Sequence, residues 1–188
     1  INTAARGHTA LCRGQGTELA ARQRKSPPDV DDILSVFRHK TAPAFNVALE
    51  CGALLASAGE EIYGILNEYT NALGIAYQIR DDLSDGRISP SDGPSILLGL
   101  CYERANEEQK RKLLAARDDE LPERLTDSEF RALFAELDVR SAACVLMNRY
   151  KSRAIEALRE LDNSGLKSLL RLLISKIFDD FEELKCCN

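Results

Sequence analysis

Apolar residues recur along this chain at three- and four-residue intervals, and no stretch alternates apolar and polar positions as a half-buried strand would. The pattern predicts an all-α protein. A first helix is expected over residues 3–23 and ends at KSPPD, because two prolines remove amide donors and clash with the preceding turn. A second starts at Asp29 or Val30, carries Val30, Ile33, Leu34 and Phe37 on one face, and reaches HKTAP. There Pro43 kinks or breaks the chain, and a helix of small residues follows through VALECGALLASA with Val47, Cys51, Leu54, Leu55 and Ala58 as its inner stripe. The next helix is predicted over residues 60–84. Over residues 69–79 it is apolar nearly all round apart from Thr70, Asn71 and Gln78, the mark of a helix surrounded by others.

GRISPSDGP, residues 86–94, reads as a loop, and Pro94 or Ser95 opens one helix predicted to run through Arg117. DDELPER is a second loop, and TDSE at 126–129 has the spacing of a capping box. Two more helices are expected over residues 139–161 and 165–185, divided by DNSG. Their core stripes are predicted as Val145, Tyr150, Ala154 and Leu158 on the first, and Leu169, Leu172, Leu173 and Ile177 on the second.

With 188 residues, 44% apolar and 29% charged, the composition is that of a globular protein, and without an internal repeat or low-complexity tract it reads as one domain over 1–188. A net charge of -5 and the lack of a Lys/Arg cluster interleaved with aromatics argue against nucleic-acid binding. Six cysteines, at 12, 51, 101, 144, 186 and 187, include no Cys-x-x-Cys pair. They are expected to be reduced and packed as small hydrophobes, which favours a cytoplasmic setting. The terminal KCCN lacks the spacing of a prenylation box and reads as chance. No run of eighteen apolar residues and no signal peptide is found, so no transmembrane segment is expected. Opening on Ile1 rather than Met, the chain is expected to begin downstream of a true start.

Candidate chemistry starts with QIRDDLSD, residues 78–85. Gln78, Asp81, Asp82 and Asp85 fall on one helical stripe at offsets of three, four and seven, so three hard oxygen donors and an amide converge. An acidic run is commonly a solvated helix end. At the end of so apolar a helix, however, clustered carboxylates are costly unless a cation neutralises them. Mg²⁺, which takes one or two carboxylates, phosphate oxygens and waters, suits such a stripe. Lys40 and Thr41 offer an ammonium and a hydroxyl for phosphate oxygens, although a lone lysine is ordinarily just an exposed one. In GQGTEL, Gln15 and Glu18 share a face, and the two glycines, each costing about 1 kcal/mol in a helix, call for a close crossing or a ligand.

In this order and spacing GQGTEL, HKTAPAF, GALLASA and LGIAYQIRDDLSD, followed by NRYKSRAIEALREL and LKSLLRLLISKIF, resemble the C-terminal half of the trans-type polyprenyl diphosphate synthases. The resemblance implies an isoprenoid-synthase helical bundle around a central cavity, usually homodimeric. It also implies an enzyme joining an allylic diphosphate to isopentenyl diphosphate with Mg²⁺. Asp81, Asp82 and Asp85 match the second aspartate-rich motif, with Asp81 and Asp85 the favoured metal ligands. Gln78 matches the glutamine before it, Tyr77 stands where phenylalanine is usual, and Lys40 and Thr41 match the pair that meets the allylic diphosphate. Gln15 and Glu18 match a Gln-x-x-Asp element, with Glu18 a further metal candidate.

Two departures from the family pattern stand out. The loop after the second motif offers Arg87 where a lysine for the diphosphate is usual. No first aspartate-rich motif and no upstream basic segment are found, so the chain is expected to need an N-terminal half, a separate chain or a second copy. The alternatives in view are a synthase-like regulatory subunit and, less favoured, another isoprenoid synthase catalysing cyclisation or head-to-head coupling.

Overall fold

The computed structural model describes residues 2–23, 29–85, 95–115 and 125–182, without the side chains of 127 and 180–182. Every regular element among them is helical: α1 (Asn2–Arg22), α2 (Val30–Lys40), α3 (Ala42–Leu55), α4 (Glu60–Asp85), α5 (Ile96–Arg104), α6 (Glu107–Ala115), α7 (Asp127–Glu136), α8 (Val139–Ala157) and α9 (Ser164–Glu182). The KSPPD stop, the GRISPSDGP and DDELPER loops and the KCCN tail lie wholly or largely outside the described residues.

The centre of the bundle is α4. Tyr69, Thr70, Ala72, Leu73, Gly74, Ile75, Ala76 and Ile79 are buried on successive faces, as an all-round apolar helix requires. Its most extensive neighbours are α8 and α3, and α2, α5 and α9 also touch it. Polar groups in this core are satisfied: Tyr69 Oη donates to the carbonyl of Leu170 at 2.9 Å, and Thr70 Oγ1 donates to Asn46 Oδ1 at 3.2 Å. Among the described residues no helix is long and apolar enough to cross a membrane.

Local signals explain most boundaries. The carboxylate of Asp29 accepts from the amides of Asp31 and Asp32 and opens α2. Thr126 and Glu129 form the reciprocal capping box expected at α7. The chain breaks at Thr41, between α2 and α3, as expected near Pro43, which lies in the first turn of α3, where a missing amide costs nothing. The single helix expected from residue 95 to 117 is two, because Ala105 is extended and Asn106 and Gln109 exchange side-chain-to-amide bonds of 2.9 Å that start α6. That N-x-x-Q signal is present in the sequence.

Three stripes require correction. On α3 the buried positions are Ala42 and Ala53, whereas Leu54 is 54% and Leu55 89% exposed. On α9 the core positions are Leu170, Ile174 and Phe178, while Leu169, Leu172 and Leu173 are exposed. On α8, Tyr150, Ala154 and Leu158 are buried as expected, but Val145 is 68% exposed. Each helix has more apolar residues than one face can hold, so periodicity alone allowed two rotations. Cys12, Cys51 and Cys101 are free, but Cys144 is disulfide-bonded, contrary to the reduced state expected. Sequence spacing gives no access to such a pairing, which depends on how closely two Cβ atoms approach in space.

Candidate active site

Glycines set the geometry of the site. A Cβ on Gly14 of α1 would lie 2.5 Å from the carbonyl of His39, and one on Gly74 of α4 would lie 2.7 Å from the amide of Ala42. The α2–α3 junction, which carries Lys40 and Thr41, is thereby clamped between α1 and α4 at backbone distance. A third close approach, Gly7 against Val47, seats α1 on α3.

The clamp brings Lys40 to Glu18: Nζ lies 3.0 Å from Oε2 and 3.2 Å from Oε1. Arg22 reaches Oε1 at 3.1 Å. Burial works against the Glu18 charge, but the two cations outweigh it and hold the carboxyl below its ordinary value. Glu18 thus serves two side-chain cations, a role that its reading as a metal ligand did not include. Gln15 is exposed on α1, and Thr41 is half-buried with its hydroxyl making no capping bond.

At the end of α4 the four polar residues expected on one stripe do not converge. Asp82 turns toward α5, where Oδ2 accepts from the amide of Ile96 at 2.8 Å and from Ser95 Oγ at 3.1 Å. It ties the end of α4 to the start of α5. Burial nevertheless pushes its carboxyl up to about 6, against these hydrogen bonds.

The charge of Lys40 acts on both Asp81 and Asp82. Burial raises the Asp81 carboxyl above the usual range, the contact with Arg80 opposes this, Asp85 adds repulsion and Lys40 attraction. Asp85 is exposed, Gln78 is half-buried, and Arg87 lies outside the described residues. The Leu83 carbonyl, in the last turn of α4, accepts from Arg140 of α8 at 3.2 Å, which steadies the helix end.

Around Asp81 stands a group the sequence reading left unassigned. Arg80 Nη2 donates to Asp81 Oδ1 at 2.9 Å, Nη1 donates to the carbonyl of Ile177 in α9 at 2.7 Å, and the guanidinium lies 4.5 Å from the centre of the Tyr77 ring. Phe45 meets the same ring edge-on at 5.8 Å. An aromatic three residues before an arginine, next to paired carboxylates, is the signal that could have found it.

The donor chemistry fits Mg²⁺. Asp81 and Asp85 are hard carboxylates one turn apart, two being the number Mg²⁺ ordinarily takes from protein when phosphate and water complete its shell. No group of three or more metal-binding side chains occurs among the described residues, so an all-protein cage is not what they offer. Two open surface grooves, of about 530 Å³ beside Gln109 and Glu136 and about 540 Å³ between the first turns of α4 and the end of α8, beside Glu61 and Arg153, carry none of these residues.

Known proteins resemble this chain in sequence and in fold. The polyprenyl synthetase family model matches residues 1–92. The chain resembles that family over this stretch. It is 33% identical over 82 residues to farnesyl diphosphate synthase of Escherichia coli, covering 43% of this chain and 27% of that one. It is 31% identical over 121 residues to geranylgeranyl diphosphate synthase of Pantoea ananas, covering 61% and 39% respectively. In shape it is similar to a decaprenyl diphosphate synthase from Rhodobacter capsulatus, with a TM-score of 0.80 at 22% identity over 95% of this chain and 58% of that one. A polyprenyl synthase from Roseobacter denitrificans gives 0.81 at 24% identity, over 95% and 62%. The chain therefore spans less than two thirds of the length of each of these relatives. The solved structures show that its fold is the all-α isoprenoid-synthase fold.

Proposed function

We propose that this chain forms part of a trans-prenyltransferase that condenses an allylic diphosphate with isopentenyl diphosphate. The observation that carries the reading is the clamped junction. Gly14 and Gly74 fix the α2–α3 turn against α1 and α4, so that the ammonium of Lys40 exerts its field on Asp81 at the end of α4. A cation on one side and paired carboxylates on the other are what a metal-chelated diphosphate needs.

In this proposal Asp81 and Asp85 hold Mg²⁺, which supplies Lewis-acid stabilisation of the departing diphosphate. Lys40 and the Thr41 hydroxyl bind diphosphate oxygens, and Glu18 holds Lys40 in place between turnovers. The C–O bond of the allylic diphosphate breaks with its electron pair going to diphosphate. The double bond of isopentenyl diphosphate attacks the allylic cation, and loss of a proton restores the alkene. The apolar side chains of α4 and its neighbours keep water from the cation. Gln78, Gln15, Tyr77 and Arg87 are assigned to the substrate side of the site, and Asp82 ties the end of α4 to the start of α5.

Turnover requires helices that carry a first aspartate-rich motif, from outside residues 1–188 or from a separate chain. The test is elongation of allylic diphosphates by labelled isopentenyl diphosphate with Mg²⁺, using the chain alone and mixed with the N-terminal half of a homologous synthase. Elongation that disappears in Asp81→Ala supports the reading. Failure in both mixtures, or elongation indifferent to Asp81→Ala, refutes it.

A further inference from the structure

Adjacent residues on a helix point about 100° apart and do not ordinarily meet. Arg80 and Asp81 nevertheless lie in contact at 2.9 Å, so something draws the arginine across the helix face. Two partners do so. The carbonyl of Ile177, near the negative C-terminal end of α9, accepts from Nη1 at 2.7 Å. The Tyr77 ring, three residues back on the same face, forms a shelf 4.5 Å from the guanidinium, and Phe45 holds that ring from the other side at 5.8 Å.

Held at both ends, the planar guanidinium presents its remaining edge to Asp81 Oδ1. We infer that Arg80 is a positioning residue: anchored on α9 and on Tyr77, it fixes Oδ1 of Asp81 so that Oδ2 is directed to a divalent cation. This rests on the assignment of Asp81 as a metal ligand and extends it by naming what aims the ligand. It also makes α9, ninety-seven residues away in sequence, a structural support of the site.

Lysine cannot replace Arg80 in this role. Its ammonium is a single compact charge and lacks the fork that reaches a carbonyl and a carboxylate together. Partners that orient a metal ligand ordinarily contribute ten- to a hundredfold in metal affinity. Mn²⁺, which shares the preference of Mg²⁺ for carboxylate oxygen, gives a spectroscopic probe of the site.

The test is titration of the full chain with Mn²⁺ by electron paramagnetic resonance, in the presence of inorganic pyrophosphate. The proteins compared are wild type, Arg80→Gln, Arg80→Lys, Asp81→Asn and the Arg80→Gln/Asp81→Asn double variant. Arg80→Gln is expected to weaken Mn²⁺ binding about tenfold or more, and Arg80→Lys by a smaller factor. In the Asp81→Asn background the same change is expected to alter affinity less than about twofold, because an effect routed through Asp81 cannot be lost twice.

A merely structural staple between α4 and α9 would lower the melting temperature and leave the Mn²⁺ affinity of the folded protein unchanged. That result, or an equal loss in both backgrounds, overturns the inference while leaving the metal assignment intact. Absence of Mn²⁺ binding in wild type would overturn the metal assignment itself, and the inference with it. Should Arg80→Gln fail to fold, Arg80→Lys carries the test, and unchanged Mn²⁺ affinity in that variant counts against the inference.

Discussion

In the first four helices the closest approaches are made by backbone: Gly7 against Val47, Gly14 against His39 and Lys40, Gly74 against Ala42. From α5 to α9 contact is made chiefly by large side chains, with Leu98, Met147, Leu158, Ile174 and Phe178 at 3% exposure or less. The two regions answer different demands. Residues 2–85 must set the positions of particular polar groups, and a glycine contact fixes the spacing of two helices more tightly than flexible side chains do. The later helices enclose α4, a task for which apolar volume in roughly the right place is enough. The family model, which ends at residue 92, covers the first region, whereas structural similarity extends over 95% of the chain.

The contrast can be broken from either side. Removing volume from the enclosing helices should cost most in stability. Phe178→Ala, at a side chain 1% exposed, is expected to destabilise by about 3–5 kcal/mol in chemical denaturation. Metal and pyrophosphate affinity of the folded fraction should be retained. Adding volume to the positioning helices should cost less stability and more function. Gly74→Val, forced against the Ala42 backbone, is expected to lose about 1–3 kcal/mol and also to weaken pyrophosphate binding. Gly52→Ala on α3, with nothing within 4 Å of the added methyl, should gain up to about 1 kcal/mol and leave binding alone.

Smaller effects sharpen the same contrast. Tyr69→Phe removes a buried hydrogen bond, while the Leu170 carbonyl keeps its helical donor, and should cost about 0.5–1.5 kcal/mol in denaturant melts. The Glu18 ion pair is a pH-dependent contribution. Because the folded carboxyl lies below its ordinary value, its stabilisation is complete above the usual glutamate range and is lost as pH falls through the lowered value. The melting-temperature gap between wild type and Glu18→Gln should therefore close as the solution is acidified from neutrality. Val145→Ala, at a side chain 68% exposed, should change stability by less than about 0.5 kcal/mol.

Much of this was legible in the sequence, for reasons that differ by element. The position of α4 at the centre followed from apolar residues on every face, a pattern only burial can satisfy. The starts of α2 and α7 followed from Asp29 and from Thr126 with Glu129, whose side chains act locally. The glycines of GQGTEL called for a close crossing, and Gly14 makes one. The rotation of α9 did not follow, because leucines at 169, 170, 172 and 173 allow two core faces and the choice is made by neighbours distant in sequence. At the site, spacing brought Asp81, Asp82 and Asp85 together on a helical stripe but could not show that Asp82 is drawn away by Ser95 and Ile96. Nor could it show Arg80, whose partner Ile177 lies ninety-seven residues on.

The central claim is that the end of α4 and the α2–α3 junction together bind a diphosphate through a divalent cation. Isothermal titration of the protein with inorganic pyrophosphate, with and without Mg²⁺, tests it most directly. The account predicts binding that requires Mg²⁺, falls sharply in Asp81→Ala and Lys40→Ala, and leaves the helical circular-dichroism signal of both variants unchanged. Binding that is independent of Mg²⁺, or that survives both substitutions, would contradict it.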